Sequence, residues 1–210
     1  MAGSFWRKVL GTAVLGAAAA GAASGWKWQK RWGTTVAEQV RPMPGDDLVP
    51  LTRFQATRAI GIDAPPRKVW PWLAQLGQGR GGFYSYDWLE NLVGLDIHSA
   101  DAIVPEWQNL QQGDPVHLAQ PMALEAAIVE PPHVLVLHGT DTASAPMPMQ
   151  FSWAFVLEPE GPTGSRLVVR ERYGWDKLAV GLVIRGVSLI SFVMSQKMLR
   201  GIKTRAEAAG

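Results

Sequence analysis

The sequence predicts an α+β domain: a curved antiparallel sheet of about six or seven strands wrapped on one long C-terminal helix, preceded by a single N-terminal apolar helix. Three observations predict it. From residue 115 to 173 the texture is strand and turn. Within that stretch Met149, Phe151, Trp153, Phe155 and Leu157 alternate with Gln150, Ser152, Ala154 and Glu158, the period of two that turns one strand face inward. Residues 178–208 carry Val183, Val187, Ile190, Met194, Met198 and Ile202 at helical spacing, with Ser188, Ser191 and Ser195 off that stripe. Residues 9–25 hold no charge at all.

Composition narrows the function classes. Apolar residues make up 47% of the chain and charged residues 18%, below the roughly 25% of ordinary soluble domains. Cysteine is absent, which removes disulfides, thiol catalysis, thiolate zinc and iron–sulfur clusters together. The net charge of +2 is unevenly spread: Arg7, Lys8, Lys27, Lys30 and Arg31 precede any acid, whereas no Lys or Arg lies between Arg80 and Arg166. A basic stripe on the folded domain is what nucleic acid requires, so no nucleic-acid partner is expected. No metal and no cofactor are expected either.

Taken in order, residues 1–32 read as a membrane anchor. At ~1.5 Å per residue the run from Val9 to Gly25 reaches about 25 Å, a little short of a hydrocarbon slab of about 30 Å. Phe5 and Trp6 stand at one end and Trp26, Trp28 and Trp32 at the other, with cations beside both sets, as interfacial anchors do. Cations are denser after the run, which puts the main domain in the cytoplasm. A signal segment cleaved near Gly21-Ala22-Ala23 is the alternative, with a periplasmic or secreted domain, and a soluble Ala-rich helix is the third. Ala17, Gly21 and Gly25 would let two such helices pack as a homodimer.

Residues 33–54, polar and centred on Arg41-Pro42-Met43-Pro44-Gly45, read as a linker, and 55–210 as the domain proper. A first strand covers 55–62. A helix follows Asp63-Ala64-Pro65-Pro66, with Val69, Trp72, Leu73 and Leu76 inward, a kink at Pro71 and a stop at Gly77. A short helix over 86–93 is capped by Ser85, with Leu89, Leu92 and Val93 inward. Strands are expected at 115–120, 123–130, 133–138, 149–158 and 165–173, the last two paired so that Trp153 faces Glu171 and Phe151 faces Tyr173. The final helix spans 178–208; Leu178–Met194 is apolar enough for a second membrane span except for Arg185. One helix cannot fill a curved sheet from edge to edge, so a hollow lined by aromatics is expected beneath it.

The segments Ile60-Gly61-Ile62-Asp63-Ala64-Pro65-Pro66 and Val69-Trp70-Pro71-Trp72-Leu73 resemble the opening of the SRPBCC superfamily, the START-like, polyketide-cyclase-like helix-grip group that includes the birch-pollen allergen. Gly77-Gln78-Gly79-Arg80-Gly81-Gly82-Phe83-Tyr84-Ser85-Tyr86-Asp87-Trp88-Leu89-Glu90-Asn91 resembles a bacterial branch of it. So do Asp96-Ile97-His98, Pro105-Glu106-Trp107, Phe151-Ser152-Trp153 and Met198-Leu199-Arg200-Gly201-Ile202-Lys203. The resemblance covers residues 55–208. It implies a helix-grip fold and a greasy ligand, since members of the superfamily hold lipids, sterols, polyketides or hormones and only some catalyse a reaction.

Residues 77–82 fit the dinucleotide pattern GxGxxG, but a helix precedes them where a strand is needed. At a cavity mouth Arg80 could meet an anionic headgroup. Asp96 and His98 are the weak catalytic candidates, an imidazole steered by a carboxylate. Trp72, Tyr84, Tyr86, Trp88, His98, Trp107, Phe151, Trp153, Phe155, Tyr173 and Met194 are the expected ligand-lining residues, with Arg80. Arg170 and Glu171 face opposite sides of their strand, and whichever lies with Trp153 is a buried charge that orients a ligand. The function expected is membrane-tethered binding of a hydrophobic small molecule or lipid. The alternatives are a cyclase, dehydratase or hydrolase on the same fold, and an assembly module that uses residues 178–194 as an interface over a closed interior.

Overall fold

The computed structural model describes residues 25–92, 94–120, 122–139 and 149–208. Its elements are α1 (Val36–Val40), β1 (Phe54–Ile62), α2 (Pro66–Ala74), α3 (Asp87–Leu92), β2 (Pro115–Ala119), β3 (Met122–Glu130), β4 (Val134–Gly139), β5 (Gln150–Glu160), β6 (Gly164–Gly174) and α4 (Leu178–Ala208). The six strands form one antiparallel sheet in the order β1-β6-β5-β4-β3-β2. This is the α+β helix-grip arrangement. Leu157 pairs with Leu167, Trp153 with Glu171 and Phe151 with Tyr173, so the expected register holds. The run 9–25, expected to be an anchor, lies, apart from Gly25, outside the described residues, as do Val93, Met147 and the side chains of Arg185 and Val187.

Alternation along the strands builds a large apolar cluster on each face of the sheet, with a third, smaller one where Phe54 and Ala56 meet Val180 and Ile184 of α4. Inward positions Phe151, Phe155, Leu157, Leu167, Val169, Leu135 and Leu137 pack with Trp72, Leu73, Tyr84, Met198, Leu199 and Ile202. Outward positions Val134, Val136, Ala154, Val156, Val168 and Ala59 pack with Met43. Val156, the one break in the sequence alternation, is therefore an outward core residue. What covers it is residues 33–54, which composition assigns to a linker. Here they form a strap across the outer face. Thr35 and Glu38 cap α1 reciprocally, and Glu38 accepts from Arg166 at 2.7 and 2.9 Å. Arg170 is buried on this face, donating to Asp46 at 2.8 Å and to the carbonyls of Glu38 and Arg41.

The free edge of β1 is also covered. Thr57 N–H donates to the carbonyl of Lys30 (2.8 Å) and Ala59 N–H to that of Trp32 (3.1 Å), blunting an edge that would otherwise be open to pairing. Gly33 makes this approach feasible: its φ is +74°, and a Cβ there would stand 2.0 Å from the Ala59 carbonyl oxygen.

Two helical faces differ from expectation. In α3 Leu92 is exposed while Glu90 is buried. The segment is oriented by its polar clamps: Asp87 accepts from Ser99 N–H and Oγ–H (both 2.6 Å), and Asn91 bonds both the N–H and the carbonyl of Ile97. In α4 the sheet-facing stripe is Val180, Ile184, Ser188, Ser195, Met198 and Ile202, whereas Val183 and Ile190 face outward. Ser195, with Ser191 beside it, points inward because a charge on the sheet needs its hydroxyl, and Ser188 accepts from Gln29 at 3.4 Å. Among the described residues no single helix is long and apolar enough to cross a membrane, and α4 bends by 42° between Leu178–Ile184 and Ser188–Ala208. Gly186 and Ser188 at the bend are residues at which helices commonly kink.

Candidate functional site

Phe54, Ala56, Arg58, Ile60 and Ile62 are the inward positions of β1. A charge at this parity must find a partner, because an unpaired buried guanidinium is prohibitively costly. Arg58 finds Glu171 on the neighbouring strand: Nη1 donates to Oε1 at 2.5 Å, with the two side chains 1% and 4% exposed. Three hydroxyls complete the carboxylate. Ser195 donates at 2.8 Å to Oε1, Ser191 at 3.0 Å and Tyr173 at 3.3 Å to Oε2. Arg58 Nε donates to the Gln29 carbonyl at 3.1 Å, and its guanidinium lies 5.6 Å from the Phe192 ring centroid. Burial, reinforced by the Glu171 charge, drives the Tyr173 hydroxyl well above its ordinary pKa, so this phenol stays a donor at any physiological pH.

The cluster sits in the seam between the first half of α4 and the β1–β6 side of the sheet. A void of about 10 Å³ remains there, lined by Phe54, Glu171, Tyr173, Ile184, Ser188 and Ser191, room for about one water. Two polar atoms of the cluster, Arg58 Nη2 and Gln29 Oε1, are buried without a partner. Above the seam α4 turns an apolar face outward: Leu178, Leu182, Val183, Leu189, Ile190 and Val193 are all exposed.

The hollow expected under the final helix is not what this region contains. Phe151 lies 4.6 Å from Tyr173, Trp153 4.8 Å from Phe155 and 6.2 Å from Phe83, and Trp72 5.7 Å from Tyr84, centroid to centroid. Among the described residues, these rings pack with α2 and the 83–84 loop in one buried cluster where the hollow was expected. The expected lining residues therefore split. Trp72, Tyr84, Phe151, Trp153 and Phe155 are packed core, although the indole N–H groups of Trp72 and Trp153 are buried without partners. Glu171 and Tyr173 belong to the seam. Met194 is half-buried, its carbonyl accepting from Ser85 at 3.2 Å.

The glycine-rich motif acts as scaffold. Gly77 and Gly82 exchange two main-chain hydrogen bonds at 3.0 Å; Gly82 has φ +66°, and a Cβ there would meet the His98 carbonyl oxygen at 2.7 Å. Arg80, expected at a cavity mouth, instead donates to the carbonyls of Ala74 (3.0 Å) and Trp107 (2.7 Å), ending α2 and fixing Trp107, because desolvated guanidinium seeks the nearest acceptors. Tyr84 donates to the Trp72 carbonyl at 3.1 Å, and burial pushes its pKa up to about 12. Tyr86 lies beneath Lys197 at 5.8 Å, and Trp88 is 68% exposed. His98 and Asp96 do contact each other at 3.1 Å, but their side chains are 78% and 88% exposed. Both side chains therefore face solvent.

No family model matches the chain, and no curated protein sequence matches it. Solved structures are similar in fold. A hypothetical protein from Helicobacter pylori is 12% identical, with 82% of this chain and 98% of that one covered and a TM-score of 0.49. A norcoclaurine synthase from Thalictrum flavum, solved with a transition-state analogue, is 10% identical over 74% of this chain and 95% of that one, at a TM-score of 0.44. The di-domain ARO/CYC BexL of the BE-7585A biosynthetic pathway is 19% identical, with 77% of this chain but 53% of that one covered, at 0.41. At these identities the likeness is one of fold alone.

Arg58, Ser191, Ser195 and Gln29 carry no motif. The signal that marks them is parity: Arg58 shares its face with Phe54 and Ile60, and serines at spacings of three and four share a helical face with Ile184 and Ile202.

Proposed function

We propose that the chain is a membrane-tethered binder of a hydrophobic small molecule or lipid, a member of the SRPBCC superfamily and of its branch with the 77–91 motif. The ligand site is the seam beneath the first half of α4, rather than a standing central hollow. One observation carries this reading: a buried charge pair with an unpartnered guanidinium nitrogen lies directly under a half-helix whose outer face is apolar and exposed. An amphiphile arriving from a bilayer would meet that apolar face first, and its polar end would find Arg58 Nη2. Ligand entry requires the first half of α4 to lift, since about 10 Å³ admits no acyl chain.

Native mass spectrometry of the full chain released from nanodiscs containing quinone, sterol and fatty acid tests this. One hydrophobic adduct per chain is expected, lost in the seam-filling variant Ile184→Trp. A clean apo mass with every probe contradicts it. The enzyme alternative, which needs His98, a tyrosine or a carboxylate at the ligand, keeps Glu171 and Tyr173, because His98 and Asp96 face solvent. A second reading, an assembly module, draws on the same exposed face above a filled interior; it predicts no adduct and a defined oligomer.

A further inference from the structure

A cleft of about 220 Å³ opens on the β1 edge, lined by Lys27, Lys30, Arg31, Gln39, Gln55 and Thr57. Three of its six lining residues are cations and none is an acid. The nearby carboxylates are committed elsewhere, Glu38 to Arg166 and Asp46 to Arg170 and Arg172. The segment that carries the cations is hydrogen-bonded to the edge of β1. Lys30 and Trp32 carry the main-chain bonds to Thr57 and Ala59, Gln29 accepts from buried Arg58, and Lys30 Nζ lies 4.8 Å from the Phe54 ring centroid. Gln39 is itself fixed, donating to Thr34 at 3.1 Å. Such a cleft concentrates positive potential and offers the Lys27 ammonium beside the Arg31 guanidinium, the pairing that oxyanions favour.

We infer that this cleft is a binding site for a phosphate group. Its position indicates the source. Lys27 lies in the helical turn 25–29, which follows directly on the apolar run 9–25, and Trp28 of the same turn contacts Phe192 of α4 at 5.2 Å. Through this contact the cleft adjoins the first half of α4, whose exposed apolar face would take the tails of an anionic phospholipid. This step rests on the membrane-tethered reading above, whereas the phosphate chemistry does not.

The test uses the full chain in two arms. In the first, chains are released from phosphatidylcholine nanodiscs with or without phosphatidylglycerol, and retained phospholipid is counted by native mass spectrometry. In the second, glycerol 3-phosphate is titrated against the detergent-solubilised chain, read by fluorescence of the neighbouring Trp28 and Trp32. The expected result is one retained phosphatidylglycerol per chain, competed by glycerol 3-phosphate. Its retention falls on the order of a hundredfold in Lys27→Gln/Lys30→Gln/Arg31→Gln, at about fivefold per cation, and holds in the distal control Arg67→Gln/Lys68→Gln. Because Lys30 packs on Phe54, the double variant Lys27→Gln/Arg31→Gln guards against a folding defect and should lose on the order of twentyfold. Glycerol 3-phosphate binding without phosphatidylglycerol preference upholds the phosphate site and overturns its lipid source. Equal retention of both lipids with no glycerol 3-phosphate response, or unchanged binding in the double variant, overturns the site itself.

Discussion

The two halves of α4 solve opposite problems with one continuous helix. Beyond residue 196, Met198, Leu199, Ile202 and Ala206 are sunk in the aromatic core, so this half is held by ordinary apolar burial. Before it, the sheet-facing side offers Ser191 and Ser195 to a buried carboxylate and Ser188 to Gln29, while six large aliphatic residues face outward. This half docks Val180 and Ile184 on a small cluster with Phe54 and Ala56 rather than on the large aromatic core. The lesson is that hydrophobic pattern alone misassigns a face when the surface beneath it carries a charge.

The largest way to break the contrast is at the charge itself. Glu171→Ala strands the Arg58 guanidinium in the seam and should cost about 3–5 kcal/mol of unfolding free energy, read by chemical denaturation. The apolar double variant Arg58→Met/Glu171→Leu should recover most of that, showing that the cost lies in the orphaned charge. Next, Ile202→Ala in the second half should cost ~2–5 kcal/mol, whereas Ile190→Ala in the first should stay within ~0.5 kcal/mol. Similar costs at the two positions would erase the distinction between the halves.

A smaller effect comes from the border between them, where Ser85 ties the segment leading into α3 to the Met194 carbonyl. Burial, with Asp87 adding repulsion, pushes the Glu90 carboxyl up to about 7 from an ordinary 4.5. The folded protein then binds more protons than the unfolded chain between those values. Stability is therefore full below about pH 4.5 and declines as pH rises to 7, by at most ~3 kcal/mol. Glu90→Gln should flatten that slope in thermal unfolding and leave the chain more stable than the parent at pH 8.

The outer-face strap behaves with the opposite sign and a similar or smaller size. Arg166 holds Glu38 down to about 2, so its contribution is present above about pH 4.5 and lost as pH falls toward 2, by ~1–3 kcal/mol. Arg166→Gln should remove that acid sensitivity while leaving the Glu90 slope intact.

Much of the fold is written in local pattern. The alternation of 149–158 and the turn at Glu160–Gly164 specify a hairpin whose register was derivable, and the helical spacing from Met194 to Ile202 fixes the second half of α4. Three things are not local. The strap is hidden because Met43, Val49 and Glu38 sit in a Pro-bearing, polar segment that gives no period; its trace is on the strands, where Val134, Val136 and Val156 make outward positions apolar. The inward serines are hidden because their partner, Glu171, lies on another element. The filled interior is hidden because ring packing among Phe83, Trp153 and Phe155 is a matter of volume, which a one-dimensional pattern does not record. Of the expected site, Glu171 and Tyr173 were legible from the strand register; Arg58 required knowing which neighbour its face would meet.

Whether the outer face of α4's first half lies in a bilayer is the point on which the membrane-tethered reading turns. The chain has no cysteine, so a nitroxide can be placed singly at Ile190→Cys and, in the other half, at Lys197→Cys, both solvent-facing positions. In phosphatidylglycerol-containing nanodiscs, power-saturation spectroscopy should find the label at 190 accessible to oxygen and shielded from a water-soluble nickel chelate, with the reverse at 197. Equal chelate accessibility at the two positions would contradict it.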